Sequence, residues 1–288
     1  MHQRPQAALF QSLRQLGYEV SSPNDKLPAI ICGTGPRNAE CVVSIEESSQ
    51  FASALLLSAG LGQWRVNVVG ENSEESPYVT MTTQLIGQFP RHGGTFEIEP
   101  DASSASYIWA AGWLLTSDIS VAGWMKKSLQ IDALFPQVLT KFPARISRLD
   151  ELGDSIMTAI VLAPFASEAK EFTDLGRLRV QECERVQALR IELSKCGARV
   201  EEHGDTLRAM PGPLHGATIH TYNDHRMAMC FGILALKVPQ IKLENPACVK
   251  KTFPNFFQKL AAEPPNGLGA RILDASGRVL SISELEAD

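Results

Sequence analysis

Thr221-Tyr-Asn-Asp-His-Arg-Met-Ala-Met-Cys230 sets four polar side chains, Asn223, Asp224, His225 and Arg226, at the mouth of an apolar run. Asn and Asp are favoured where a helix begins, and the apolar residues behind them require burial. Further on, Cys248-Val-Lys-Lys-Thr-Phe-Pro-Asn-Phe256 puts two lysines ahead of aromatic residues. Polarity set this close to hydrophobicity reads as an anion site built on helix ends.

The same start recurs. Ser48-Ser-Gln50, Ala102-Ser-Ser104 and Gly153-Asp-Ser155 also lead from small or polar residues into runs rich in Ala, Leu and Met. Marked by Ser49, Ser104, Asp154 and Asp224, these starts are 55, 50 and 70 residues apart. A second helical stretch follows each one, marked by Pro77, Leu129, Glu182 and Lys251, at offsets of 28, 25, 28 and 27 residues. This regularity points to one supersecondary unit used several times. Short strand patterns lie between the helices: Trp64–Val69 and Thr95–Glu99 alternate, and Gly197–Glu201 follows a glycine stop with Thr206–Arg208 as its hairpin partner. The chain is therefore α/β. Arg4–Gly17 reads as the second helix of such a unit, so Met1 is expected to fall in the middle of a repeat. After Ala262, Pro264-Pro265 and Gly267–Gly269 mark a loop, and Arg271–Leu280 forms a small hairpin pattern with no chemistry assigned.

A chain of 288 residues with 44% hydrophobic content can bury a large core in more than one domain. Its formal net charge of -5 excludes general nucleic-acid binding, which needs a concentrated basic face, but leaves room for local arginine clusters that hold small anions. The six cysteines lack zinc spacing, and buried free thiols in a reducing compartment are expected. No apolar run has the length of a membrane span and no signal peptide opens the sequence, so a cytoplasmic location is expected.

Charge gathers on the second helices. Glu182 and Arg185, three residues apart, share a helix face, and Val180, Val186, Leu189 and Leu193 pack that helix. A solvated ion pair is the plainer reading of Glu182 and Arg185, and surface charge the plainer reading of Arg226 and Lys251. Each of the four, however, abuts a strongly apolar run. His225 is read as a capping or packing residue rather than a base.

Six stretches, in order along the chain, resemble the 5-enolpyruvylshikimate-3-phosphate (EPSP) synthase family. They are Ser48–Phe51, Asp101–Tyr107, Gly153–Thr158, Arg179–Arg185, Asn223–Met229 and Lys251–Pro254. The resemblance implies an enolpyruvyl transferase fold, an inside-out α/β barrel of two domains built from repeated βαβαββ units and closing on substrate at the hinge. It divides this chain into residues 1–101, part of a shikimate-phosphate-binding domain; 102–262, the C-terminal domain; and a tail, 263–288. It implies transfer of the enolpyruvyl group of phosphoenolpyruvate to shikimate 3-phosphate through a tetrahedral adduct, in aromatic amino-acid biosynthesis, with no metal or organic cofactor. Position by position, Ser48, Ser49, Gln50 and Tyr78 resemble the shikimate-phosphate contacts. Asp154 resembles the carboxylate that handles the attacking hydroxyl, and Glu182 the acid-base group at the methylene carbon. Arg185, Arg226 and Lys251 resemble the phosphoenolpyruvate clamp.

Two departures stand out. The family usually carries a lysine where this chain has Gln181, and Glu75-Ser76 precedes Pro77-Tyr78 in a region that also varies. By the same resemblance, the segment expected ahead of Met1 supplies a Lys-Ser pair, substrate-gripping arginines and a glycine-rich loop. The chain is then a monomer whose activity needs a complementary N-terminal segment. Two other readings remain: a non-catalytic phospho-ligand-binding protein or half of a split enzyme, and a UDP-N-acetylglucosamine enolpyruvyl transferase.

Overall fold

In the computed structural model, residues 5–46, 48–72, 75–125 and 127–287 are described. Met1 and Arg4, which bear on the expected opening repeat, lie outside them. The chain divides into two compact units, Met1–Ile98 and Glu99–Asp288.

The first unit runs α1 (Ala7–Gln15), β1 (Glu19–Ser21), β2 (Ile30–Cys32), β3 (Ala39–Ser44), α2 (Ser49–Gly62), β4 (Trp64–Val69) and α3 (Ser76–Gln88). β1 and β2 pair antiparallel, while β3 and β4 pair parallel with Cys41 opposite Val66 and Val43 opposite Val68. Alternation in β3 turns Cys41 and Val43 inward, where they meet Leu16, Ile45, Ala52 and Leu55 in a small core. A parallel pair needs a crossover, and α2 supplies it. Ser53 and Thr82 share a hydrogen bond of 2.9 Å that ties α2 to α3.

The second unit runs α4 (Ala102–Leu115), α5 (Phe135–Lys141), β5 (Arg145–Ser147), α6 (Ile156–Leu162), β6 (Lys170–Thr173), α7 (Arg185–Lys195), β7 (Val200–His203), β8 (Thr206–Ala209), β9 (Thr218–His220), α8 (His225–Leu234), β10 (Lys242–Glu244) and α9 (Phe256–Ala261). Strands β5, β6, β8 and β7 form one four-stranded sheet in that order. β5 and β6 are parallel across α6, and β9 and β10 are parallel across α8. Three βαβα passages therefore repeat: β3–α2–β4–α3, β5–α6–β6–α7 and β9–α8–β10–α9. The middle one completes the βαβαββ pattern with its β7–β8 hairpin.

Burial explains the helix types. Every residue of α6 is buried, as is every residue of α8 except Arg226, so both helices are apolar nearly all round. They pack with Tyr107, Phe135, Phe172, Leu189 and Phe256 in the unit's core. Gly197 ends α7 at φ +87°, a backbone region that a side chain strains, and the Ala198 N–H closes back on the Leu193 carbonyl at 3.0 Å.

Several sequence expectations are corrected. Thr95–Glu99 alternates but joins no ladder among the described residues, and Ile98 is left 83% exposed. The sheets outside β5–β8 have two strands each among the described residues, so the full βαβαββ pattern is seen only once. Glu182 precedes α7, and Lys251 ends a 3-10 turn ahead of α9, so these markers sit before the second helices rather than in them. Val180 points outward at 70% exposure, and Leu178 takes the buried position instead. Cys32 is exposed, Cys183 and Cys248 are half-buried, and Cys41, Cys196 and Cys230 are buried. The residues after Ala262 pack on the second unit. Leu273 and Val279 form an antiparallel bridge, Leu285 joins the core, and the Ala287 N–H donates to the Pro254 carbonyl at 3.1 Å. Among the described residues, no helix is long and apolar enough to cross a membrane.

Candidate functional site

In the first unit, the sequence places Ser48 at an extended residue before α2, where its Oγ accepts the Gln50 N–H at 3.2 Å. Ser49 is buried, and its N–H donates to Glu75 Oε2 at 2.6 Å. Tyr78 lies in the first turn of α3, its N–H donating to the Glu75 carbonyl at 3.2 Å. Two of the expected residues, Ser49 and Tyr78, therefore bond Glu75, while Ser48 caps α2 and Gln50 is exposed.

In the second unit, Asp154 leads into α6 and gathers cations. Arg148 Nη2 stands at 3.1 Å, Arg226 Nη2 at 3.4 Å and Arg185 Nη1 at 3.6 Å from its oxygens. Gln181 Nε2 is 3.4 Å from both. Burial pushes the Asp154 pKa upward, but the attraction of Arg226, Arg185 and Arg148 outweighs it and holds the carboxyl far below the usual range.

Arg185 is 1% exposed, and each of its nitrogens has a carboxylate or amide partner. Its Nε and Nη2 form a two-pronged bond to Asp224 at 2.7 and 3.2 Å, Nη2 also meets Glu182 Oε2 at 2.7 Å, and Nη1 bonds Gln181 Oε1. Asp224 does double duty, for its Oδ1 also accepts the Arg226 N–H at 2.8 Å and so caps α8. Lys251 Nζ bonds Glu182 Oε1. Burial raises the Glu182 pKa, yet Lys251 and then Arg185 bring it below its usual value. Burial and then the charge of Asp224 push the Cys183 thiol up to about 12, and the protonated thiol donates to Asp224 at 3.4 Å.

The second unit thus brings together every residue expected there: Asp154, Gln181, Glu182, Arg185, Arg226 and Lys251. Four cations, Arg148, Arg185, Arg226 and Lys251, face three carboxylates, Asp154, Glu182 and Asp224. A net positive cluster with two arginine forks suits a ligand carrying both a phosphate and a carboxylate. Among the described residues, no group of three or more His, Cys, Asp or Glu is placed to hold a metal ion.

Three participants escaped the sequence reading. Arg148 carries no local signal, since it closes on Asp154 only once the loop after β5 turns back. Asp224 announced itself as a cap, and nothing in the sequence marks its pairing with Arg185 across 39 residues. Tyr107, buried on α4, hydrogen-bonds Arg226, and burial above all raises its pKa well beyond the usual range.

Comparison with known proteins places this arrangement. The family model of EPSP synthase (3-phosphoshikimate 1-carboxyvinyltransferase) matches residues 1–92 and 90–260. A 3-phosphoshikimate 1-carboxyvinyltransferase of Pseudomonas savastanoi pv. phaseolicola is 35% identical over 300 residues, covering 94% of this chain and 71% of the relative. One from Vibrio campbellii is 34% identical, covering 91% and 71%. The chain therefore spans about seven-tenths of the length of these relatives. Among solved structures, the EPSP synthase of Acinetobacter baumannii superposes with a TM-score of 0.61 at 17% identity, covering 90% of this chain and 70% of its own. The enolpyruvyl transferase NikO of Streptomyces tendae gives 0.57 at 15%, covering 86% and 69%. The fold is that of the enolpyruvyl transferases. By its sequence match along both units, the chain belongs to the EPSP synthase family.

Proposed function

We propose that the chain carries out enolpyruvyl transfer from phosphoenolpyruvate to shikimate 3-phosphate, a step of aromatic amino-acid biosynthesis. One observation carries the reading: Asp154, Glu182, Arg185, Arg226 and Lys251, drawn from four separate stretches of chain, converge on one cationic cluster. Arg185, Arg226 and Lys251 take the phosphate and carboxylate of phosphoenolpyruvate. Ser48, Ser49, Gln50 and Tyr78 contact shikimate 3-phosphate. The domain assignment goes with these roles, residues 1–101 serving the shikimate phosphate and 102–262 the transfer. We place the protein in the cytoplasm as a monomer.

The chemistry balances on two carboxyl groups. The attacking hydroxyl gives its proton to Asp154 as its oxygen bonds to the central carbon of phosphoenolpyruvate, and the methylene carbon takes a proton from Glu182. The resulting adduct then returns the methyl proton to Glu182 as the bond to phosphate breaks, and the proton held by Asp154 leaves with the departing phosphate. In the unliganded chain both groups are held ionised by cations, which makes Asp154 a poor base and leaves Glu182 without a proton to give. A bound phosphoenolpyruvate offsets those cations with its own negative charge and lets both pKa values climb towards working range. Substrate binding and proton transfer are coupled in this way.

A second reading, ligand binding without turnover, draws support from Gln181, which offers Asp154 an amide at 3.4 Å and no charge or transferable proton. Calorimetric titration with phosphoenolpyruvate tests the clamp. Lys251→Ala should weaken binding by about tenfold, the worth of one charge-assisted contact. Equal affinity in the two proteins removes Lys251 from the site.

A further inference from the structure

A second side chain of α7 grips the approach to α8. Glu192 lies two turns along the helix from Arg185, is fully buried, and takes no part in the steps set out above. Its Oε1 accepts the Tyr222 hydroxyl at 2.9 Å and its Oε2 accepts the His220 N–H at 3.1 Å. Lys195 Nζ donates to both oxygens, at 2.9 and 2.8 Å. Burial, and then Glu192 itself, push the Tyr222 pKa up to about 12, so the hydroxyl keeps its proton at neutral pH and donates it to the carboxylate.

What Glu192 holds is a strained turn. Tyr222 and Asn223 stand at φ +56° and +54°, two successive left-handed residues, neither of them glycine. Backbone of this kind persists where its surroundings impose it. Asp224 follows directly, its N–H closing on the Thr221 carbonyl at 2.8 Å. Asp224 then meets Arg185 with both oxygens and caps α8 through the Arg226 N–H. One helix, α7, therefore fastens the turn on both sides: Glu192 at His220 and Tyr222, Arg185 at Asp224.

We propose that Glu192 is a positioning residue for anion binding: by fixing His220 and Tyr222 it holds the turn that aims Asp224 at Arg185, and so sets Arg185 and Arg226 in register with each other. The inference rests on the reading of those two arginines as part of the phosphoenolpyruvate clamp. Without the carboxylate, the Tyr222 hydroxyl and the His220 N–H lose their acceptor, and nothing from α7 opposes relaxation of the left-handed pair. Asp224 then shifts on Arg185. Two guanidinium forks recognise a phosphate and a carboxylate by direction as well as by charge, so a turned fork lowers affinity although every cation is still present.

The test is calorimetric titration of the full chain with phosphoenolpyruvate, with urea denaturation alongside. Glu192→Leu removes every acceptor and should weaken binding by about tenfold, the worth of one charge-assisted contact. Tyr222→Phe removes only the hydroxyl and should weaken binding by about threefold, with nothing further lost when it is added to Glu192→Leu. Glu192→Gln should restore affinity to within about twofold of the parent. Its carbonyl accepts the His220 N–H, its amide donates to the Tyr222 oxygen, and the half-exposed Lys195 turns to water. Leu285→Ala, which loosens the same unit from the tail, should leave affinity unchanged. Parental affinity in both Glu192→Leu and Tyr222→Phe, even with stability lost, overturns the proposal and leaves Glu192 a purely structural residue. Equal weakening by Leu285→Ala overturns it as well. Should Glu192→Leu fail to fold, Tyr222→Phe decides: a threefold loss supports the proposal and parental affinity overturns it. Failure of the unaltered chain to bind phosphoenolpyruvate overturns the clamp itself and this proposal with it.

Discussion

Mild acid should weaken the second unit, and one side chain sets the size of the effect. His225 is the first residue of α8 and is buried, with Nδ1 3.7 Å from Asp224 Oδ1 and no hydrogen-bond partner among the described residues. Burial, and after it the charge of Arg226, lower its pKa from 6.5 to about 4, with Asp224 opposing only in part. Below 6.5 the unfolded chain takes up a proton that the folded one refuses, so stability falls as pH drops towards 4. Between about pH 7.5 and about pH 5 the loss comes to about 2 kcal/mol, roughly a unit and a half of unmatched protonation. Asp154, Glu182 and Asp224 all have lowered pKa values, so their contribution is intact above the ordinary carboxylate range and is lost only at lower pH. The window therefore belongs to His225. Urea denaturation followed by the fluorescence of Trp109, Trp113 and Trp124, all in the second unit, reads it. The His225→Asn variant should show a much flatter pH dependence over the same interval. An unaltered chain equally stable at both pH values, or a variant that loses as much, would falsify this assignment.

Other perturbations follow from the same geometry. Asp154→Ala should abolish phosphate release; it also strips one carboxylate from Arg148, Arg185 and Arg226 and should cost about 3 kcal/mol of stability, read by urea denaturation. Asp154→Asn, which preserves shape, should be equally inactive in the same assay, and retained turnover in either variant removes Asp154 from the proton path. Leu285→Ala should destabilise the second unit by about 2–3 kcal/mol, because Leu285 fills a core position from outside the stretch that the family model matches. A thermal melt unchanged by that substitution would mean that the residues after Ala262 only rest on the surface. Gln181→Lys should raise the rate of phosphate release by placing a charge beside the reacting oxygens, and a rate unchanged or lower would show that the amide serves as well.

What the sequence made legible depended on how far apart the cooperating residues lie. Ser48 and Asp224 act on N–H groups two residues away, so their capping was readable from composition alone. Trp64–Val69 and the Val200–Ala209 hairpin carry both alternation and a neighbour to pair with, whereas Thr95–Glu99 has the alternation without the neighbour. The reading of α7 began one turn early, because Val180 fits the apolar spacing of Val186, Leu189 and Leu193, yet the chain turns outward there and buries Leu178. Two long-range pairings were hidden for the opposite reason. Glu75 reaches Ser49 across 26 residues, and Arg185 finds Asp224 across 39. Such pairings arise from packing, and local pattern holds no record of them.

Phosphate release from phosphoenolpyruvate and shikimate 3-phosphate together bears on everything above. It should be measured with the chain alone and again with a polypeptide matching the part of a curated relative that the chain does not align with. Release that requires both substrates, occurs at least in the mixture and vanishes with Asp154→Ala is the expected result. Calorimetric binding of both substrates with no release under either condition would contradict the transferase assignment and leave ligand binding as the function.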